Sequence, residues 1–479
     1  MYVAGVAAVI VLSLSGIPAH LAQDGWLALD AGRIIAAHGI PQHDYLTVMA
    51  YGAPWHDQQW LAQLVIYELY AAGGLALFTV IYVFLTGLSV ALAIKAARHL
   101  GGAERHVTLV LPFAAFFFLV AAVSIRTQGL AYPLFIATLW LLAAEVRVPT
   151  DRRVYLVFPI LLVWGNLHGS VTLGVMCAML YGVLLLFAGF RCERWRGLAN
   201  RRGLVFLLGA PLCLLVNPYG FSVVDYYSAT MLNSQFSKLV TEWQPVTNYT
   251  VIAVPFLLLA VATIYLLGRS GSRTPAFDQI VLVALALMAV FAVRNITWFG
   301  LGAMVLLPPT ITVVRRSRPP APRRRRLNLT IAWASIGLVA MFAAVTLTRP
   351  VRWFENTYPT RAAAIVQRVL ARSPWTKIFA DVRFADWLVW HDPRLAGHLA
   401  YDTSLELLTP SQLASLSTLA QAIPPGGHDT IAPYSLLVLD PANKTVNRIL
   451  LARAGTHVIL RSKRVIIASK PAVGQPPPA

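Results

Sequence analysis

The sequence predicts an all-α polytopic membrane protein with a small α/β domain at its C-terminal end. Three observations lead there: a charge-poor composition, a succession of uninterrupted apolar runs, and a change of pattern after residue 348. Of the 479 residues, 57% are hydrophobic and only 12% are charged. A soluble domain carries roughly 25% charged residues. The apolar runs approach the roughly 20 residues that cross about 30 Å of hydrocarbon. A water-soluble enzyme is therefore excluded for this part of the chain.

Taken in order, eleven spans are expected, near 2–19, 72–94, 107–123, 129–146, 154–165, 170–190, 203–216, 251–268, 279–293, 296–314 and 328–348. The first is read as a span because it lacks a basic n-region and a small-residue cleavage site. With a cytoplasmic N-terminus, the inner loops are 95–106, 147–153, 191–202, 269–278 and 315–327, and they carry 20 Lys and Arg. The outer segments 20–71, 124–128, 166–169, 217–250 and 294–295 carry four: Arg33, Arg126, Lys238 and Arg294. This asymmetry obeys the positive-inside rule and places 349–479 outside the cytoplasm, on the outer face of an inner membrane. The net charge of +19 is thus loop charge at a membrane and not a nucleic-acid surface. The run Arg323-Arg324-Arg325-Arg326 reads as a topology signal against anionic membrane lipid. Cys177, Cys192 and Cys213 fall in spans or an inner loop without C-x-x-C spacing, so they indicate neither a disulfide nor a zinc site.

Beyond 348 the pattern shortens. Residues 359–372 have the period of an amphipathic helix with Pro359 in its first turn. Apolar runs at 377–380, 398–401, 435–439 and 457–460 alternate with helical patterns at 411–422 and 443–453, which argues for a small α/β domain. The tail 474–479, GQPPPA, is expected to be disordered. No Gly-rich phosphate loop or nucleophile elbow occurs here, so 349–479 reads as an accessory domain beside a transmembrane domain of 1–348.

The chemistry concentrates in the first outer loop, 20–71. Trp26 to His38 has helical periodicity, which predicts a helix lying in the membrane interface, stopped by Gly39 and Pro41. A second amphipathic stretch, 58–70, leads into the next span. The loop holds the aspartates Asp24, Asp30, Asp44 and Asp57 and the histidines His38, His43 and His56 among others, against the single Arg33. Topology parity puts further polar groups on the same face: Arg126 and Gln128, Asn166 and His168, Arg294 and Asn295, and Glu242 in a longer loop. Ionisable groups at membrane depth are costly and mark functional sites. Carboxylates with two arginines suit an anionic phosphate lipid and an acceptor hydroxyl that needs a base.

Other readings of these residues stay open. Asp24 could cap the helix that begins near Trp26, and Asp44 could form an Asx turn. His56 and Asp57 could join Asp24 around Mg²⁺ or Mn²⁺. Arg126 and Arg294 could satisfy helix-end carbonyls. His168 could be a packing residue, and Trp55 and Trp60 belt aromatics.

At these positions the chain resembles a known family. The order D-G-W…G-R-I-I-x-x-H-G-I-P-x-x-D, then G-x-P-W-x-x-x-x-W-L, resembles the first outer loop of bacterial GT-C membrane glycosyltransferases. It is most similar to relatives of the protein mannosyltransferase and lipid A aminoarabinose transferase group. The resemblance continues through R-T-Q at 126–128, N-L-H-G at 166–169, N-P-Y-G at 217–220, E-W-Q-P at 242–245, R-N at 294–295 and F-A-D…W-L-V-W at 379–390. Each motif is short, and the ordered set spans most of the chain. The resemblance implies transfer of a sugar from a polyprenyl-phosphate donor to a cell-envelope acceptor, with an acid of the first outer loop as catalytic base. Asp24 stands at that place, with Asp44 or Asp57 assisting; Arg126, Gln128, His168, Glu242, Arg294, Asn295 and His56 would bind substrate. A lone Asp24-Gly25 replaces the paired D-E of the mannosyltransferases. The rival expectation is a lipid or solute transporter, against which no inverted repeat is evident and the acids gather in one outer loop.

Overall fold

The computed structural model describes residues 2–16, 21, 23–122, 125–149, 152–191, 198–231, 239–315, 325–421 and 430–471. Cys192, Lys238, Arg323, Arg324 and the 474–479 tail lie outside the described residues. A helix stands at each of the eleven expected span positions. These are α1 (Tyr2–Gly16), α3 (Trp60–His99), α4 (Glu104–Ala122), α5 (Tyr132–Arg147), α6 (Val157–Gly165), α7 (Val171–Arg191), α8 (Leu198–Leu212), α10 (Thr250–Ser270), α11 (Ala276–Phe291), α12 (Ile296–Val314) and α13 (Arg325–Leu347). Two more lie between them, α2 (Gln23–His38) and α9 (Val223–Met231). Among the described residues six stretches are long and apolar enough to cross a membrane, and a seventh counts if Asn200–Leu215 and Gly220–Thr230, bent by 96°, form one span. Tyr2–Ser15, Arg153–Gly165 and Ala276–Phe291 are apolar but shorter. The chain is a multi-pass membrane protein, and length alone supports fewer full crossings than the eleven expected.

The chain divides into two compact units. The first comprises Met1–Ile17, Ala76–Val223 and Glu242–Arg349; the second comprises Pro18–Leu75, Val224–Thr241 and Pro350–Ala479. In the first, α12 is the central element, buried continuously from Ile296 to Ile311. A Cβ on Gly300 would meet the Ala114 carbonyl at 2.8 Å, so only glycine lets α12 lie this close to α4. Aromatic rings lock α12 to α5 edge to face, with Tyr132–Trp298 at 5.4 Å and Phe135–Trp298 at 5.2 Å, and α5 to α4 through Phe118–Tyr132 at 4.9 Å. Such pairs are worth about 0.5–1.5 kcal/mol each beyond burial. At the ends carrying the basic loops, Asp278 pairs with Arg147, and Glu145 with Arg202 at 2.8 Å. A buried carboxylate without such a partner would be strongly destabilising.

The second unit holds a four-stranded sheet of order β1-β2-β4-β3, from β1 (Ile378–Ala380), β2 (Leu436–Leu439), β3 (His457–Arg461) and β4 (Ile466–Ser469). β1 and β2 are parallel and the other pairs antiparallel. Around it lie α14 (Val351–Phe354), α15 (Thr360–Arg372), α16 (Val382–His391), α17 (Pro410–Ala420) and α18 (Lys444–Leu451). Three of the four expected strands are present. The fourth, at 398–401, makes only isolated bridges, from Leu399 to Ile378 and to Thr47. Its backbone is divided between two partners, for Ala400 N donates to Ile378 O at 2.8 Å while Leu399 O accepts from Val48 N at 2.7 Å. β4 was not expected: its turn from β3 is Ser-Lys-Arg, with none of the Gly, Asn or Pro that signals a hairpin.

Two expectations about the first outer loop need correction. The loop does not belong with the membrane-spanning helices; it is part of the sheet-bearing unit. Nor does α2 turn its apolar side to lipid. Trp26, Ala28, Leu29, Ile34 and Ile35 are buried within this unit. Trp26 meets Tyr358 edge to face at 5.5 Å, and Arg33 stacks over Trp390 at 4.9 Å. A Cβ at Gly32 would fall 2.2 Å from the Gln63 carbonyl, so glycine is what allows α2 to seat on the first turns of α3. Farther along, α3 breaks at Gly73 and Gly74, the latter at φ 65, ψ −168, a combination essentially restricted to glycine. The boundary between the two units follows directly, at Leu75 and Ala76.

Candidate functional site

The first unit gathers the cationic half of the expected site. Arg126 precedes a 3₁₀ turn, Thr127–Ala131, that opens α5. Gly129 within it lies under the Tyr82 ring, where a Cβ would meet Cε2 at 2.2 Å. Arg126 forms an ion pair with Glu242. Arg294 stacks on Trp243, its guanidinium 4.6 Å from the ring centroid, and has no carboxylate within ion-pair distance among the described residues. Val293 N donates to Gln244 O at 3.0 Å, which ties the Glu242–Gln244 segment to the Arg294 turn. Gln128 is buried, and its Nε2 has no hydrogen-bond partner. His168 is also buried; its Nδ1 accepts from Ser170 N at 3.0 Å, so the neutral ring carries its proton on Nε2. Burial, reinforced by Arg294 and Arg126, pushes this imidazole down to about 3. It is therefore a neutral donor at physiological pH. Two guanidinium groups, a neutral imidazole N–H and an unengaged amide N–H make a donor-rich group suited to phosphate oxygens.

The second unit gathers the acids. α2 begins at Gln23, so Asp24 lies inside its first turn and not at the cap that is one of its alternative readings. There the helix dipole favours a negative charge. Asp57 sits just before α3, where Oδ1 accepts from Gln63 Nε2 at 2.9 Å and Gln59 N at 3.2 Å, while Oδ2 is buried without a partner. Burial pushes this carboxyl up to about 7, against those two hydrogen bonds. Asp30 pairs with Arg33 at 2.6 Å through one oxygen and leaves the other unpartnered. Burial holds it well above the ordinary carboxylate range despite Arg33.

Three further acids come from the C-terminal stretch, which the sequence reading treated as accessory. Asp386 accepts from Thr403 Oγ1 at 2.9 Å, and Asp402 from Ser404 N at 2.7 Å. Burial raises both, Asp402 and Asp30 adding to the effect on Asp386 and Asp44 to that on Asp402. Glu406, partly exposed, is pushed up to about 8 by desolvation and then by Asp402, Asp57 and Asp24. Asp24 also acts on Asp386. The available signal was Asp386 itself, immediately before the W-L-V-W motif at 387–390.

Several expected site residues also make local structural hydrogen bonds. Asp44 is an Asx-turn residue: Oδ1 accepts from Leu46 N at 3.0 Å, and Oδ2 from Thr47 Oγ1 at 2.7 Å and Thr47 N at 3.2 Å. The turn engages both of its oxygens. Asn295 donates from Nδ2 to Met288 O at 3.0 Å, closing the end of α11. His56 lies between buried Trp55 and Asp57. Among the described residues, no three His, Cys, Asp or Glu groups converge as metal ligands, so Asp24, His56 and Asp57 do not form the Mg²⁺ or Mn²⁺ set considered from sequence. Cys177 and Cys213 are buried free thiols.

No protein-family model matches the chain, and no curated protein does. Solved structures do. ArnT from Cupriavidus metallidurans bound to undecaprenyl phosphate is similar over 98% of this chain and 98% of that one, at 16% identity and a TM-score of 0.51. The apo state of the same protein is similar over 98% and 97%, at 15% identity and a TM-score of 0.50. The shared feature is the fold, which this chain has in common with those ArnT structures over nearly its whole length.

Proposed function

We propose that this protein is an integral membrane glycosyltransferase that takes a sugar from a polyprenyl-phosphate donor and passes it to a hydroxyl of a cell-envelope acceptor, on the outer face of the membrane. Arg294 and Arg126, with Gln128 and His168, hold the donor phosphate. A carboxylate of the second unit, Asp24 first, is the base. It takes the acceptor O–H proton as that oxygen bonds to the anomeric carbon. The bond from this carbon to the phosphate oxygen breaks, and polyprenyl phosphate leaves with the electron pair. Direct displacement inverts the anomeric centre. Arg126 is paired with Glu242, so the phosphate exchanges with that carboxylate on binding.

The observation that carries the reading is the donor-rich group of the first unit, where Arg294 stacks on Trp243 with no carboxylate within ion-pair distance among the described residues and Gln128 Nε2 is buried and unengaged. The fold likeness supports it, since one of those ArnT structures holds undecaprenyl phosphate. The test is binding of undecaprenyl phosphate to the purified full chain. A charge-assisted hydrogen bond contributes about 1.5–3 kcal/mol, so Arg294→Gln is expected to weaken binding about tenfold to hundredfold while melting stays unchanged. Undiminished binding by Arg294→Gln and by Arg126→Gln would return both residues to structural roles.

A further inference from the structure

Three helices of the first unit, α1, α3 and α13, come together along one side of it. The same three line a cavity of about 400 Å³, walled by Val6 and Ile10 of α1, Phe84 and Ala91 of α3, and Ile336 and Val339 of α13. This is within the roughly 300–1,000 Å³ of ligand pockets. Close packing of α1 on α3 closes one side, for a Cβ on Gly87 would fall 2.6 Å from the Ile10 side chain. Phe84 and Ile336 remain 43% and 49% exposed, so the cavity opens toward hydrocarbon and is not a sealed core void. Its lining offers carbon and little else, which rules out a polar ligand along its length.

One end differs. Tyr2 also lines the cavity, and its hydroxyl donates to Glu104 O at 3.4 Å. The helix ends on this side carry exposed Arg98 in the last turn of α3 and exposed Arg325 and Arg326 in the first turn of α13, with Glu104 and Arg105 opening α4. At a rise of 1.5 Å per residue, Ile336 lies about 15–17 Å along α13 from Arg325 and Arg326. Half of a hydrocarbon core is about 15 Å. The spacing of apolar cavity and cationic rim therefore matches one leaflet, and arginines outnumber the single Glu104 at the rim. Arginine clusters at such a boundary favour anionic headgroups.

We propose that this cavity holds an acyl chain of an anionic glycerophospholipid from the leaflet on the basic-loop side, with the lipid phosphate against Arg98, Arg325 and Arg326. The site is separate from the donor-phosphate group and does not depend on the glycosyltransferase reading. It gives α1, α3 and α13 a shared lipid contact.

The test uses the full chain in mild detergent, stripped of native lipid and titrated with phosphatidylglycerol or phosphatidylcholine of identical acyl chains, with bound lipids counted by native mass spectrometry. The wild-type chain is expected to retain one phosphatidylglycerol at least tenfold more strongly than phosphatidylcholine. Combining Arg98→Gln, Arg325→Gln and Arg326→Gln should erase that preference. Ala91→Trp and Ile336→Trp fill the cavity from opposite walls and should each abolish the retained lipid. Ile336→Trp sits on an exposed wall and decides the matter if Ala91→Trp fails to fold. Equal retention of the two lipids by the wild-type chain, or full retention by Ile336→Trp, overturns the proposal.

Discussion

Replacing Asp57 with Asn isolates the charge of one buried acid without changing its shape. The amide oxygen of Asn can accept the same bonds from Gln59 N and Gln63 Nε2 that Oδ1 accepts, and only the ability to ionise is lost. In the folded chain burial pushes the Asp57 carboxyl up to about 7, against an ordinary value of 3.8. Between these values the folded state keeps a proton that the unfolded chain has released. The stability linked to Asp57 is therefore complete below about pH 4 and is lost as pH rises toward 7, at up to about 1.4 kcal/mol per pH unit. Across that window the loss is on the order of 2–4 kcal/mol. The Asn variant has no such proton, so it should gain on the wild type as pH rises. With roughly 2–4 °C per kcal/mol for a unit of 150–250 residues, the relative gain in Tm between pH 4.5 and 8 should be about 5–10 °C. Melting of both proteins in one detergent across this range measures it. Parallel pH profiles would mean that Asp57 is ionised when folded, and the account of the acid group built on its burial would fail.

The remaining expectations concern catalysis, packing and topology. Asp24→Asn should keep wild-type melting and donor binding but lose transfer by at least about 10²-fold, the scale of general-base removal; full product by glycan mass spectrometry in a strain carrying only this variant would move the base elsewhere. Gly32→Val should destabilise the second unit by more than about 1–3 kcal/mol, the usual range for overpacking, because the new Cβ meets the Gln63 backbone at 2.2 Å. A melting temperature within 2 °C of wild type would contradict the tight seat of α2 on α3. A reporter active only in the cytoplasm, fused after Lys470, should be silent, and a strong signal would reverse the assigned orientation.

What the sequence made legible is what local pattern controls. Each apolar run carries its own helix, because hydrophobicity and length act within about twenty residues. The Asx turn at Asp44 was similarly readable, since its partners Leu46 and Thr47 are two and three residues away. The stop of α2 is local too, with Gly39 at φ 83. Elements whose partners are distant were harder. The apolar side of α2 has the same period whether lipid or α16 covers it, and only the fold shows that Trp26 faces Tyr358. The segment 398–401 has the composition of a strand, but its backbone donors and acceptors are shared between Ile378 and the 46–49 loop.

The same distinction decides which acids can do chemistry. Asp24, Asp44 and Asp57 look equivalent in sequence, three carboxylates in one loop among aromatic residues. They differ in what their oxygens already hold. Asp44 accepts three hydrogen bonds from its own turn. Asp57 spends one oxygen and keeps the other unpartnered. Asp24, in the first turn of α2, lies near enough to Asp386 and Glu406 to raise both. Those two groups stand more than 350 positions away in the chain. A carboxylate kept protonated by burial can also donate a hydrogen bond, which an ionised one cannot. Burial raises Asp57, Asp386, Asp402 and Glu406 toward that protonated form. The stretch that reads from sequence as an accessory domain supplies three of these four acids, Asp386, Asp402 and Glu406.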